Sequence, residues 1–171
     1  GQREKRLPEG VGWFHTLGSM SLFLFLSQVV TGILLLIYYR PTVDEAFSSV
    51  KFIMTVPHMG WLYRQIHAWG ANLMVIIVFL HMFRTFVTGS YKKPRELQWL
   101  FGVLLFVCVL AFGFTGYLLP WNQLAYWATT VGTEVAGAIP FFGEGIKTML
   151  RGGKNVGGET LSRFFVVHVI I

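Results

Sequence analysis

The chain has 171 residues, of which 54% are hydrophobic and 13% are charged, and its formal net charge is +6. So apolar a composition excludes an ordinary soluble domain and predicts a membrane protein. The basic residues are scattered among several connections and form no single groove, so we expect no nucleic-acid partner.

Four apolar segments predict an all-α chain with one domain over residues 1–171. The first three cover residues 17–39, 68–87 and 97–119. Each is close to the roughly 20 residues that cross a bilayer as a helix, whereas the fourth, at residues 161–171, has about half that length. We expect a transmembrane four-helix bundle with three full spans and the start of a fourth.

The first segment carries two glycines, Gly18 and Gly32, that are 14 residues apart. A helix places such positions on one face at two depths about 21 Å apart, and glycine lets a flat ring approach the backbone. Gln28 and Thr31 need polar partners at this depth. They either line a cofactor cavity, to which we assign Gln28, or bridge two helices.

His67, directly before the second segment, and His81, within it, stand at the same 14-residue interval. Imidazole is a common iron ligand. Arg64 and Arg84 each lie three residues, about one helical turn, from a histidine. A guanidinium there either binds a haem propionate or reaches the lipid headgroups.

The third segment repeats the interval once more, with Gly102 and Gly116. One segment thus offers imidazoles at two depths, and two others offer bare backbone at the same spacing. This pattern predicts a bundle that holds two b-type haems. The single cysteine, Cys108, excludes a disulfide within the chain.

The connection over residues 121–160 is too long for a plain turn, which indicates a functional segment. Trp121, Tyr126 and Trp127 suit helices that lie in the membrane interface.

His168 stands at the entrance to the fourth span. If this helix is antiparallel to the second, His168 lies at the depth of His67, and the two can ligate one iron from opposite faces. The partner of His81 is then expected about four turns further on, past Ile171. We therefore expect the functional polypeptide to continue and to complete this helix with another histidine.

Basic residues flanking the spans predict the orientation. The basic residues of the N-terminus and of the turn between the second and third segments place the N-terminus on the negative side of the membrane. They are Arg3, Lys5, Arg6, Lys92, Lys93 and Arg95. His67 then lies near the positive side and His81 near the negative side.

Several runs resemble the cytochrome b family of quinol-oxidising bc and b6f complexes, most nearly its short cytochrome b6 form. They are residues 28–32 (QVVTG), 38–43 (YYRPTV), 64–67 (RQIH), 81–84 (HMFR), 92–97 (KKPREL), 116–121 (GYLLPW) and 163–168 (RFFVVH). They are distributed along the chain from residue 28 to residue 168.

The resemblance implies a di-haem subunit of a quinol–cytochrome c or plastocyanin-type oxidoreductase that couples electron transfer to proton translocation. His67 and His168 would hold the low-potential haem, and His81 the high-potential one. Residues 116–127, with Tyr126 and Trp127, would wall the quinol-oxidation pocket.

The implied partners are a Rieske-type iron–sulfur protein, a c-type cytochrome and the remaining cytochrome b helices or a subunit IV-like chain. The implied assembly is a dimeric complex in the lipid of an energy-transducing membrane, either a bacterial inner membrane or a thylakoid-like one.

One departure from the family concerns a third haem. Members with an additional covalently bound haem carry a cysteine where this chain has Thr16, so we expect no covalent haem here. Two other functions remain open from the residues alone: a di-haem membrane anchor of a dehydrogenase or hydrogenase, and a non-redox transporter or scaffold.

Overall fold

The computed structural model describes residues 12–170, and within them all regular structure is helical. A 3₁₀ turn at Trp13–His15 precedes seven α-helices in this range. They are α1 (Leu17–Leu36), α2 (Ala46–Thr55), α3 (Gly60–Val87), α4 (Glu96–Leu118), α5 (Gln123–Gly137), α6 (Gly143–Arg151) and α7 (Gly158–Ile170). The all-α prediction is confirmed. Arg3, Lys5, Arg6 and Ile171, on which the orientation and the expected continuation depend, lie outside the described residues.

Three helices, α1, α3 and α4, are long and apolar enough to cross a bilayer, as predicted. Many of their large side chains face outward; Phe23 is 71% exposed and Phe101 is 62% exposed. Such surfaces match the hydrocarbon of a membrane, where only backbone groups satisfied within a helix are tolerated. Helix α7 has 13 residues in the described range, which is short of a full span.

The helices and the apolar segments do not share the same bounds. Helix α3 begins at Gly60, eight residues before the predicted start at 68, and helix α1 ends at Leu36 instead of 39. Hydropathy marks the part of a helix inside the hydrocarbon, so the polar first turns of α3 escaped detection. Helix α2 lies in the first connection, which the sequence indicated only as polar and amphipathic.

Helix α1 packs along α3 in the antiparallel direction. Leu17 and Leu24 of α1 meet Met74 and Ile77 of α3 in the buried apolar cluster of the bundle. The start of α1 therefore lies beside the end of α3.

Helix α4 packs on α3 and on α7, so the four helices pack in the order α1, α3, α4 and α7. Helix α4 ends at Leu118, two residues before Pro120, which has no N–H group to continue the helical hydrogen bonds. Nearby, the Tyr39 hydroxyl donates to the carbonyl of Leu119 at 2.7 Å, and the Tyr39 ring packs on Phe165. These contacts fix the ends of α1, α4 and α7 at one level.

The long connection folds into the helices α5 and α6, which pack on each other before α7 begins. Asn122 caps α5 by accepting a hydrogen bond from the backbone of Ala125 at 2.9 Å. Because α6 also contacts α7, this pair of helices positions the entrance of the helix that carries His168.

Candidate functional site

The structure places the imidazole rings of His67 in α3 and His168 in α7 opposite each other. Their ring centroids are 6.3 Å apart, and the ring planes are inclined by 76°. This is the pairing that the antiparallel arrangement of the second and fourth segments predicts.

The separation of the two rings fits one metal ion between them. A metal–imidazole bond of about 2 Å on each side, plus the distance from each nitrogen to its ring centre, places two ring centroids roughly 6 Å apart. Within residues 12–170, no group of three or more His, Cys, Asp or Glu side chains could hold a metal ion by itself. Two opposed imidazoles without further protein ligands suit a haem, whose ring supplies the other four.

A threonine hydroxyl contacts the Nδ1 atom of each of these two histidines. Thr31 Oγ1 lies 2.9 Å from His67 Nδ1, and Thr115 Oγ1 lies 3.1 Å from His168 Nδ1. With Nδ1 engaged, Nε2 is the nitrogen left for a metal. The sequence indicated Thr31 as a polar group in need of a partner, but it did not indicate Thr115. The signal that could have found Thr115 is the repeated pair Thr31-Gly32 and Thr115-Gly116.

Three of the four predicted glycines face the edge of a histidine ring. A Cβ atom would lie 3.2 Å from His81 Cε1 at Gly18, 3.3 Å from His67 Cε1 at Gly32, and 2.7 Å from His168 Cε1 at Gly116. At Gly102, by contrast, it would meet no described atom within 4 Å. Gly18, Gly32 and Gly116 therefore make room for the histidine side chains. The sequence predicted instead that these glycines make room for the flat ring of the cofactor.

His81 lies near the opposite end of α3, where the edge of its ring faces Gly18 of α1. The Nδ1 atom of His81 is buried and has no hydrogen-bond partner within residues 12–170. A buried imidazole nitrogen without a partner is costly, which indicates that the surroundings of His81 are completed from outside residues 12–170.

Gln28 joins α1 to α3. In the orientation that its neighbours require, its amide donates to the carbonyl of His67 at 2.9 Å and accepts from the backbone of Ala71 at 3.2 Å. Gly70 leaves room for this amide. The side chain therefore bridges the two helices at the level of His67, one of the two alternatives drawn from the sequence.

Arg64 and Arg84 lie partly buried on α3, one turn from His67 and His81. Within the described residues, neither guanidinium forms an ion pair or a hydrogen bond. Both remain available to an external acid.

An open cavity of about 470 Å³ lies where the first connection meets the start of α5. Its lining residues are Val43, Phe47, Trp121, Asn122, Gln123 and Tyr126. This volume is in the range of small-molecule sites. Tyr126 was singled out from the sequence, whereas Val43 and Phe47 were not. Trp127 packs against Tyr126 and donates to Gln123 at 3.2 Å, beside the cavity and outside its lining.

Comparison with known proteins shows which family this chain resembles. A family model described as cytochrome b/b6/petB matches residues 2–171. A cytochrome b6 of Auxenochlorella protothecoides is 48% identical over 167 residues, which are 98% of this chain and 78% of that protein. The cytochrome b subunit of a cytochrome bc complex from Chlorobaculum thiosulfatiphilum is 51% identical over 170 residues, 99% of this chain and 40% of that protein.

The fold also resembles a solved structure. A chain of a hyperthermophilic respiratory Complex III superposes with a TM-score of 0.88 at 37% identity, covering 98% of this chain and 45% of that chain. The chain thus spans most of a cytochrome b6 but less than half of the two longer relatives.

Proposed function

The chain belongs to the cytochrome b/b6 family, and we propose that it carries electrons across the membrane through two b-type haems. The electrons pass between a quinol-oxidation site and a quinone-reduction site. The assembly couples this transfer to proton translocation. The chain is a cytochrome b subunit of the bc/b6f type. The named relatives make the di-haem anchor and the transporter unnecessary as explanations.

The observation that carries the proposal is the opposed pair His67 and His168, with ring centroids 6.3 Å apart. These residues would hold one haem, and His81 would hold the second together with a ligand from outside residues 12–170. A haem held by two imidazoles would supply one-electron transfer. Gln28 fixes α1 against α3 beside His67.

Two arginines would anchor the haem propionates. Arg64 and Arg84 lie one turn from the ligands and are free of acidic partners among the described residues, and a guanidinium binds a carboxylate in a bidentate manner. Thr16 has no thiol, so we infer that no haem is attached covalently at that position.

The cavity beside α5 supports the assignment of Tyr126 and Trp127 to the quinol-oxidation pocket. Trp121 and Tyr126 give it an aromatic wall, and Asn122 and Gln123 add amide groups that can bind the oxygens of a quinol. The remaining walls would come from partner helices.

Relatives named as parts of a bc complex and of Complex III support a multi-subunit assembly. We propose as its other members a Rieske-type iron–sulfur protein, a c-type cytochrome and a chain that supplies the remaining helices. The complex would be dimeric and would lie in an energy-transducing membrane with the N-terminus of this chain on the negative side.

The test uses the intact purified complex. We expect a reduced-minus-oxidised spectrum with a b-type band that titrates as two components. The Val43→Trp variant, which fills the cavity, should lower quinol oxidation at least about tenfold while the spectrum stays unchanged. Val56→Trp, in an exposed position of the same connection, is the control. A missing b-type band, or unaltered quinol oxidation in Val43→Trp, would contradict the proposal.

A further inference from the structure

We propose that Thr31 and Thr115 are positioning residues that hold both histidine ligands of one haem as the Nδ1–H tautomer and thereby lower the reduction potential of that haem relative to the other. This inference rests on the proposed haem between His67 and His168. It concerns the hydroxyl groups of Thr31 and Thr115, which contact the Nδ1 atoms of the two ligands.

The hydrogen bonds of Thr31 fix the direction of its contact with His67. The hydroxyl has one hydrogen, and it donates that hydrogen to the carbonyl of Ser27, 2.6 Å away and four residues earlier in α1. Toward His67 Nδ1, at 2.9 Å, the oxygen can then only accept. His67 therefore carries its proton on Nδ1 and leaves the Nε2 lone pair free for a metal.

Thr115 repeats this arrangement on the opposite side. Its hydroxyl donates to the carbonyl of Ala111 at 2.8 Å, and its oxygen accepts from His168 Nδ1 at 3.1 Å. Both threonines are buried, with exposures of 6% for Thr31 and 3% for Thr115, so water does not compete for these bonds. The two ligands are thus held in the same tautomer by the same device.

Each threonine is followed by a glycine that receives the Cε1 edge of the same imidazole. Gly32 lies against His67, and Gly116 lies against His168. A hydroxyl on Nδ1 and bare backbone against Cε1 fix the ring at two neighbouring atoms. The Thr-Gly pair therefore both orients the ring and selects its tautomer.

An imidazole that donates from Nδ1 is a more basic ligand, because the donated hydrogen bond shifts electron density toward the metal. A more basic axial ligand favours the oxidised iron and lowers the potential, and hydrogen bonding to the ligands is one of the ways in which proteins tune haem. Two such bonds act on one iron here.

The depth of His81 lacks this device. The residues before the two glycines there are Leu17 and Phe101, and neither has a hydroxyl. Within residues 12–170, no group accepts a hydrogen bond from the buried Nδ1 of His81. The two depths therefore differ in the direction that makes the His67 depth the one of lower potential.

The experiment is a redox titration of the b-type bands in the intact complex. In Thr31→Val, Thr115→Val and the double variant, the midpoint potential of the component held by His67 and His168 should rise, most in the double variant. The other component should not move. Thr31→Ser and Thr115→Ser keep the hydroxyl and should restore the original value. Thr129→Val is the matched control, because Thr129 is fully buried and its hydroxyl donates only to the carbonyl of Ala125.

A reciprocal variant keeps the test decisive if the valine variants fail to bind haem. Leu17→Thr places a hydroxyl before Gly18 and should lower the potential of the His81 component. Unchanged potentials in the double valine variant, or in Leu17→Thr when the double variant lacks haem, would overturn the inference. Serine variants that behave like valine would overturn it as well. A complex without any b-type haem would instead refute the proposed function on which the inference rests.

Discussion

Glycine and histidine act as pairs in this molecule, with one member on each of two neighbouring helices. At Gly116 the ring of His168 approaches so closely that a Cβ atom would lie 2.7 Å from its Cε1 atom, closer than such atoms normally approach. At Gly32 and Gly18 the corresponding distances to His67 and His81 are 3.3 and 3.2 Å. A Cβ atom at these glycines would have to displace the histidine side chain. Because that side chain is the proposed metal ligand, it cannot move aside without disturbing the metal bond.

Alanine at these glycines tests the pairing. We expect Gly116→Ala to displace His168 and to reduce the affinity for the haem at this depth by roughly tenfold or more, the scale of changes around metal ligands. Gly32→Ala should have a smaller effect, since its Cβ would stand further from the ring. Haem per polypeptide, measured in the purified complex, is the readout. Gly145→Ala is the control, because a Cβ at Gly145 meets nothing within 4 Å and alanine favours a helix. Equal haem content in Gly116→Ala and Gly145→Ala would disprove the close contact.

Among the elements, α5 and α6 are joined by a network around Arg151. This guanidinium is buried and donates to the hydroxyl of Thr133 at 2.7 Å, the carbonyl of Thr130 at 3.2 Å and the carboxylate of Glu134 at 2.9 Å. Lys147 reaches the second oxygen of Glu134 at 3.2 Å. Hydrogen bonds from Lys147 and Arg151 hold the pKa of Glu134 below its usual value. The carboxylate thus links α5 to the middle and to the C-terminal end of α6.

The lowered pKa of Glu134 predicts an acid-sensitive helix pair. Because the folded pKa lies below the unfolded one, the stabilisation is complete above the ordinary value of 4.5 and is lost as the pH falls through the lowered value. Protection of the α6 backbone against hydrogen exchange, corrected for the intrinsic rate, should therefore decrease in that window. Glu134→Gln should lose this part of the pH dependence, whereas Glu159→Gln, which lies outside the network, should retain it. Identical pH profiles in wild type and Glu134→Gln would contradict the prediction.

The elements also show what the sequence can and cannot predict. The three spans and the pairing of His67 with His168 follow from hydropathy and from helical periodicity, because both depend on spacing along the chain. The early start of α3 at Gly60 does not, since the first turns include polar residues such as Arg64 and Gln65. Thr115 and Arg151 were missed for a different reason: their roles depend on contacts between residues 53 and 18 positions apart, which no local pattern encodes.

At the scale of the whole molecule, the two proposed haem positions, at His67 and at His81, lie toward opposite ends of α3. The turn between α3 and α4 carries Lys92, Lys93 and Arg95, and the connection with α2 lies at the other end of α3. Basic residues favour the negative side of a membrane. In the proposed orientation, the cavity beside α5 would lie on the positive side of the membrane.

Cysteine labelling tests this orientation. In a Cys108→Ser background, Lys92→Cys and Ser48→Cys place single thiols at two exposed positions on opposite ends of α3. A membrane-impermeant maleimide added to sealed vesicles with the positive side outward should modify position 48 and spare position 92. Inverted vesicles should give the reverse. The opposite labelling pattern would show that the chain is inserted the other way round.

The central claim is that His67 and His168 bind the same haem while His81 binds the other. Redox titration of the b-type bands in His67→Leu, His168→Leu and His81→Leu complexes tests it most directly, with His58→Leu in the exposed connection as the control. We expect His67→Leu and His168→Leu each to lose the same lower-potential component. His81→Leu should lose only the other component, and His58→Leu should retain both. Loss of different components in His67→Leu and His168→Leu, or survival of both components in either variant, would contradict this claim.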